Sequence, residues 1–145
     1  DMPNINPVAI SKLILYMNNE QCDIGTLASS FTTEEELKDK NNVKVIVKEK
    51  LEDSNFSKAT DFFRTSSSIQ ENIYHHVGIY AFTNKALVRY VSLERSKLEL
   101  ERKLEQLRAL ENNMSIHVGY VKSSPLSVDT NKDLIEVKRI MENNE

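Results

Sequence analysis

An α/β layered fold is what this sequence predicts, and three observations carry that expectation. Segments that alternate apolar and polar side chains, as strands do, are interleaved with segments whose apolar residues recur at helical spacing. Two of the helical segments open on a threonine with an acidic residue three positions later, the pattern of a capping box. The composition, 39% hydrophobic and 28% charged over 145 residues, is an ordinary soluble balance in a chain long enough to bury one core.

In chain order, Pro7 opens a helix through Met17, with Val8, Ile10, Leu13, Ile14 and Met17 along one broad face. A short strand follows around Ile24 to Ala28. In "TTEEELKDK", Thr33 is a helix cap with Glu36 three residues on. "VKVIVKE" alternates and reads as a half-exposed strand. The polar, serine-rich stretch from Leu51 to Asn72 reads as a long loop, interrupted by Phe56, Phe62 and Phe63. "YHHVGIYAF" is a strand of strong β formers, and "NKALVRYVSL" a helix. A longer helix is expected from Ser96 to Glu111, with Leu100, Leu104, Leu107 and Leu110 as its core stripe. "SIHVGYV" is a further strand, and "TNKDLIEVKRIMEN" a last helix capped by Thr130 with Asp133. Neither an internal repeat nor a domain boundary is visible, so residues 1–145 are expected to belong to one domain.

Composition narrows the function. The formal net charge of -3 and scattered basic residues give no reason to expect a nucleic-acid partner. No apolar run approaches the roughly 20 residues that cross a bilayer. The single cysteine, Cys22, allows no internal disulfide, and with no signal-like start a cytoplasmic location is expected. Only three glycines are present, and no GxGxxG or GxxxxGK run. These residues therefore lack the glycine-rich loop that commonly cradles nucleotide phosphates. The chain opens on Asp1 and reads from its first residues as the middle of a longer sequence.

On their own, the polar candidates read modestly. Alternation puts Tyr74, His76, Gly78, Tyr80 and Phe82 on one face of their strand, with room above Gly78 for a polar ligand. The opposite face, His75, Val77, Ile79 and Ala81, suits a core. A solvent-facing or loosely covered strand face accounts for the first set more simply. Glu105 and Gln106 lie off the leucine stripe, as an ordinary solvated helix face would. Asp129, before the last helix, is the kind of residue that favours turns and helix starts. Open α/β sheets also bind ligands at such places. Cys22 has no cationic neighbour in sequence and reads as a plain thiol.

Taken together, "HHVGIYAF", "VRYVSL", "LELERKLEQLRAL", "IHVGYV" and "SVDTNKDL" resemble, in order and spacing, the C-terminal half of the 3-deoxy-manno-octulosonate (Kdo) cytidylyltransferase family. Upstream, "NNVKVIVKE" and "NFSKATDFF" fit the family's Asn-x-Val-Lys-Val and Tyr-Phe-Ser-Arg segments. "DMPNINP" is similar to its Gln-Gly-Asp-x-Pro motif, with Asp1 as the aspartate. The resemblance covers essentially the whole chain.

It implies a three-layer α/β/α nucleotide-diphospho-sugar transferase-like fold whose N-terminal, nucleotide-binding half is missing. It implies transfer of CMP from CTP to Kdo with release of pyrophosphate, for lipopolysaccharide assembly, with Mg2+ as cofactor and a homodimer as the complete protein. Asp1 and Asp129 match the family's metal-binding aspartates. His76 and Tyr80 match its sugar-contacting histidine and tyrosine, and Glu105 and Gln106 its hydroxyl-binding pair. Arg64 is the candidate for the sugar acid's carboxylate, which a guanidinium meets bidentately. Lys58 stands for the family's arginine, Lys97 for a proline and Ser127 for a glycine. A chain lacking the phosphate loop is expected to be inactive alone. One lacking half a parallel sheet is expected to leave strand edges and apolar surface uncovered. The alternatives are a cytidylyltransferase for another sugar acid, such as an acylneuraminate, and a non-catalytic sugar-acid-binding domain.

Overall fold

Residues 2–65 and 71–143 are described in a computed structural model. Five strands make up its sheet: β1 (Ile24–Ser29), β2 (Lys44–Val47), β3 (Phe56–Phe63), β4 (Ile73–Phe82) and β5 (Ile116–Tyr120). Their spatial order is β1-β4-β2-β3-β5, and β5 pairs back onto β1, so the sheet closes into a barrel. Only β1 and β5 run parallel; the other four ladders are antiparallel. The expected open edges of a halved parallel sheet are therefore corrected, because β3 reaches round to pair Phe56–Lys58 with β5.

That strand was expected to be loop. In "FSKATDFF" the buried positions are Ser57, Ala59 and Phe62, while Lys58 and Thr60 face solvent. Small and polar inward residues disguise the alternation that a row of Val or Ile would announce.

Helices α1 (Pro7–Asn19), α2 (Glu34–Lys38), α3 (Asn84–Ser92), α4 (Lys97–Arg102), α5 (Gln106–Glu111) and α6 (Asn131–Glu142) complete the described elements. Most start where a polar side chain satisfies a free backbone N–H. Asn6 caps α1 ahead of Pro7, Thr33 caps α2 and Thr83 caps α3. Full capping boxes, Ser96 with Glu99 and Thr130 with Asp133, open α4 and α6.

The long helix expected from Ser96 to Glu111 is two short ones. Lys103 adopts a left-handed backbone conformation, φ 54°, and turns the chain between them. Leu104 and Leu107 are buried as expected, but Leu100 is 57% exposed. Likewise α1 buries Leu13 only, while Val8 (71% exposed) and Ile14 lie in solvent.

The core has two parts. Inside the ring, Ile24, Val45, Phe62, Ile116 and Val118 pack with Ala86, Leu104, Leu107 and Met114. On the outer side of β1 and β4, Leu27 and Val77 pack against Leu13 of α1. Both faces of β4 are thus covered. The side expected to be loosely covered turns Tyr74 and His76 inward, and Gly78 alone is open. The expected apolar surface is present, with Val8 and Leu15 on α1 and Leu134 and Ile135 on α6 exposed. Among the described residues no helix is long and apolar enough to cross a membrane.

Candidate functional site

The floor of the site is β4. Opposite Thr26 and Leu27 its register with β1 jumps from Tyr80 to Val77, leaving Gly78 and Ile79 as a bulge. Bulges re-aim side chains beside clefts. A Cβ at Gly78 would meet nothing within 4 Å, so the backbone there borders open space. His76 and Tyr80 flank it, with ring centroids 5.5 Å apart. Burial, with a smaller push from neighbouring His75, lowers the His76 pKa from 6.5 to about 3, so the ring is neutral at physiological pH. Burial also raises the Tyr80 phenol well above its ordinary value, with Glu105 adding to the effect, so it keeps its proton. Both offer hydrogen bonds rather than charge.

The wall over this floor comes from α4 and α5. The left-handed turn at Lys103 places Glu105 and Gln106 at the very start of α5. That turn is held from behind. Arg108 reaches back to grip Glu99 with two hydrogen bonds, Nε to Oε2 at 2.9 Å and an N–H to Oε1 at 2.5 Å, and it stacks over Tyr90 at 4.7 Å. The Tyr90 hydroxyl donates to the Glu105 carbonyl at 3.0 Å. Chiefly because of the Arg108 bond, the Glu99 carboxyl titrates below its ordinary range. Gln106, the first residue of α5, is almost wholly buried behind this turn.

Arg64 sits just past β3. Its carbonyl accepts from the fully buried Lys44 ammonium at 2.9 Å, which also holds the carbonyls of Asp39 and Asn42. The guanidinium rests on the carbonyls of Lys40 and Asn41, at 3.3 and 3.4 Å, and makes no ion pair among the described residues.

Asp129 lies in the segment between β5 and α6. Its carboxylate accepts from the Ser127 hydroxyl at 2.7 Å, and its N–H donates to Asp133. It is exposed.

These separate pieces meet. Arg64, His76, Tyr80, Glu105, Gln106 and Asp129 all line one cleft of about 820 Å³. A neighbouring cleft of about 890 Å³ shares Arg64, His76, Gly78 and Asp129 with it, so the two run together. The one remaining candidate, Asp1, lies outside the described residues. Arg95 and Lys103 also line the first cleft and were not foreseen. A left-handed lysine carries no mark in a sequence, so nothing there pointed to Lys103. Cys22 is away from both clefts, and burial raises its pKa to about 11, in keeping with an inert thiol.

The family described as cytidylyltransferase matches residues 1–116. This chain belongs to that family. The 3-deoxy-manno-octulosonate cytidylyltransferase of Bartonella tribocorum is 43% identical over 142 residues, covering 97% of this chain and 58% of its own length. That of Rhizobium meliloti is 44% identical over 142 residues, again 97% of this chain and 56% of its own. A solved structure, CMP:2-keto-3-deoxy-manno-octonic acid synthetase complexed with CTP, superposes with a TM-score of 0.86 at 26% identity, covering all of this chain and 60% of that one. The chain therefore spans 56–60% of the length of these proteins. Its mixed α/β architecture is the nucleotide-diphospho-sugar transferase-like fold expected from the sequence.

Proposed function

We propose that this chain is the sugar-acid side of a 3-deoxy-manno-octulosonate cytidylyltransferase. In the complete protein, a cytoplasmic three-layer α/β/α enzyme serving lipopolysaccharide synthesis, the anomeric hydroxyl of Kdo attacks the α-phosphorus of CTP. A new O–P bond forms, the bond to the β-phosphate oxygen breaks, and pyrophosphate leaves while the hydroxyl proton passes to solvent or base. Such a transfer asks the protein for positioning and charge placement more than for covalent chemistry.

The observation that carries this reading is the convergence of Arg64, His76, Tyr80, Glu105, Gln106 and Asp129 on one cleft from β4, the end of β3, the start of α5 and the loop before α6. Arg64 is the cation for the Kdo carboxylate. Neutral His76, the protonated Tyr80 phenol and the Glu105–Gln106 pair serve its hydroxyls. The 43% and 44% identities to Kdo enzymes favour that sugar acid over an acylneuraminate.

Asp129 fits a magnesium site of the kind that uses one or two carboxylates and leaves the rest of the shell to phosphate and water. One of its oxygens accepts from Ser127 and the other has no partner among the described residues. With Asp1 as second carboxylate it would hold Mg2+, which would neutralise triphosphate charge.

The test joins this chain to the first part of the Bartonella tribocorum relative that it does not span. With CTP, Kdo and magnesium the chimera should release pyrophosphate, and this chain alone should release none. Preference of the chimera for an acylneuraminate would overturn the substrate assignment. Turnover by this chain alone would overturn its reading as one side of the site.

A further inference from the structure

Thr26, in β1, is fully buried and has no part in the reading above. Its hydroxyl oxygen lies 2.6 Å from the Ile79 carbonyl, 3.2 Å from the Val77 carbonyl and 2.9 Å from His76 Nε2. A hydroxyl has one proton to give. Two oxygens at 2.6 Å repel one another unless a proton lies between them, and a carbonyl has none to offer. Thr26 therefore donates to Ile79. Only its lone pairs remain for His76, so Nε2 must supply the proton of that bond.

The bulge in β4 makes the arrangement obligatory. Gly78 and Ile79 are the extra residues there, and the carbonyls of Val77 and Ile79 turn to the Thr26 hydroxyl. With the ring neutral, a proton on Nε2 leaves a lone pair on Nδ1. Nδ1 has no protein partner among the described residues, and no buried side-chain nitrogen among them is left without one. Nδ1 therefore reaches the cleft that His76 lines.

We infer that Thr26 is a positioning residue that locks His76 in its Nε2-protonated form, so that Nδ1 accepts a hydrogen bond from a hydroxyl of the sugar acid. The ligand half of this statement rests on the proposed function; the tautomer half does not. A ligand presenting only an acceptor at that point is turned away, which makes the threonine a determinant of specificity that never touches substrate.

Nitrogen NMR of the His76 imidazole in this chain reads the tautomer directly, and titration with Kdo reads the ligand. In the native chain Nε2 should carry the proton, and Nδ1 should shift when Kdo is added. Thr26→Val, which keeps the shape and loses the hydroxyl, should mix the tautomers and weaken Kdo binding about five- to tenfold. Thr26→Ser should restore both. A proton on Nδ1 in the native chain overturns the inference whatever binds, and that measurement needs no variant to fold. Unchanged Kdo affinity in Thr26→Val overturns it while sparing the proposed function. Nε2 protonation with no Kdo binding to the native chain overturns the proposed function, and with it the ligand half of the inference.

Discussion

The two walls of the cleft are built differently. The α4–α5 wall is tied from behind by groups distant in sequence: Arg108 grips Glu99, Tyr90 holds the Glu105 carbonyl, and Arg102 reaches Asp61 at 2.7 Å. The wall that carries Asp129 leans on its own neighbours. Ser127, Thr130 and Asp133 make its hydrogen bonds, and Val137 is the one buried residue of α6. The residues proposed to meet the sugar acid are preorganised, whereas the carboxylate proposed for the cation is held only by the loop around it. Preorganisation lowers the ordering cost of binding, and a local hold leaves room for closure.

That contrast can be broken from either side. Asp129→Ala in the chimera should cost about 100-fold or more in activity, the scale of losing a charge-stabilising group. Its urea midpoint should stay where it was, since the lost contacts are local. A large drop in the midpoint would mean that this wall is as tightly tied as the other. Arg108→Ala should act the opposite way. Its side chain is 15% exposed and that of Glu99 is 8% exposed. Removing one partner from so buried a pair should lower stability by about 3 kcal/mol, measured by urea unfolding. A loss below about 1 kcal/mol would show that the pair does not hold the turn at Lys103.

Acid should sharpen the comparison further. His76 is neutral in the folded state down to about pH 3, while in the unfolded chain it gains a proton below 6.5. Its contribution is therefore complete above pH 6.5 and declines as the pH falls through 6.5 towards 3. Glu99, with its pKa lowered, adds a second loss below its ordinary value of 4.5. Because burial lowers His75 and His117 as well, the measurement is the difference between the native chain and His76→Gln across this range. The native chain should show the steeper fall, and parallel profiles would remove His76 from the account.

A pair of glycines gives the smallest effects. An added Cβ at Gly119 would come 2.5 Å from the Phe56 ring, itself stacked on Tyr16 at 3.7 Å, so Gly119→Ala should cost about 1–3 kcal/mol. Gly78→Ala enters open space and should change stability by less than about 0.5 kcal/mol, by thermal unfolding. Equal costs at the two positions would mean that the cleft floor is covered.

Much of this could be read from the sequence, and what could not has physical reasons. Strands rich in β-branched and aromatic residues declared themselves, as did the Thr33 and Thr130 caps. Strand β3 did not, because Ser57 and Ala59 fill its inward positions. Nor did the break at Lys103, since a left-handed residue without glycine leaves no trace. The candidate residues looked ordinary one by one: Glu105 as a solvated face, Asp129 as a turn. Their meeting depends on pairings between distant segments, which local patterns do not encode. It was the resemblance in order and spacing that grouped them. The lock on His76 was out of reach, because it needs a register jump between β1 and β4 that only coordinates reveal.

The return of β5 onto β1 has a consequence for life at high concentration. Sheets that stop somewhere offer a row of bare amides and carbonyls on which another chain can zip itself, and many proteins spend charges, prolines or covering helices to prevent it. Here each of the five strands has a companion on both flanks over part of its length, and only stretches of β3 and β4 stay open on one side. Stickiness in this polypeptide should come from its greasy helices, and detergent, not competing peptide, should be what relieves it.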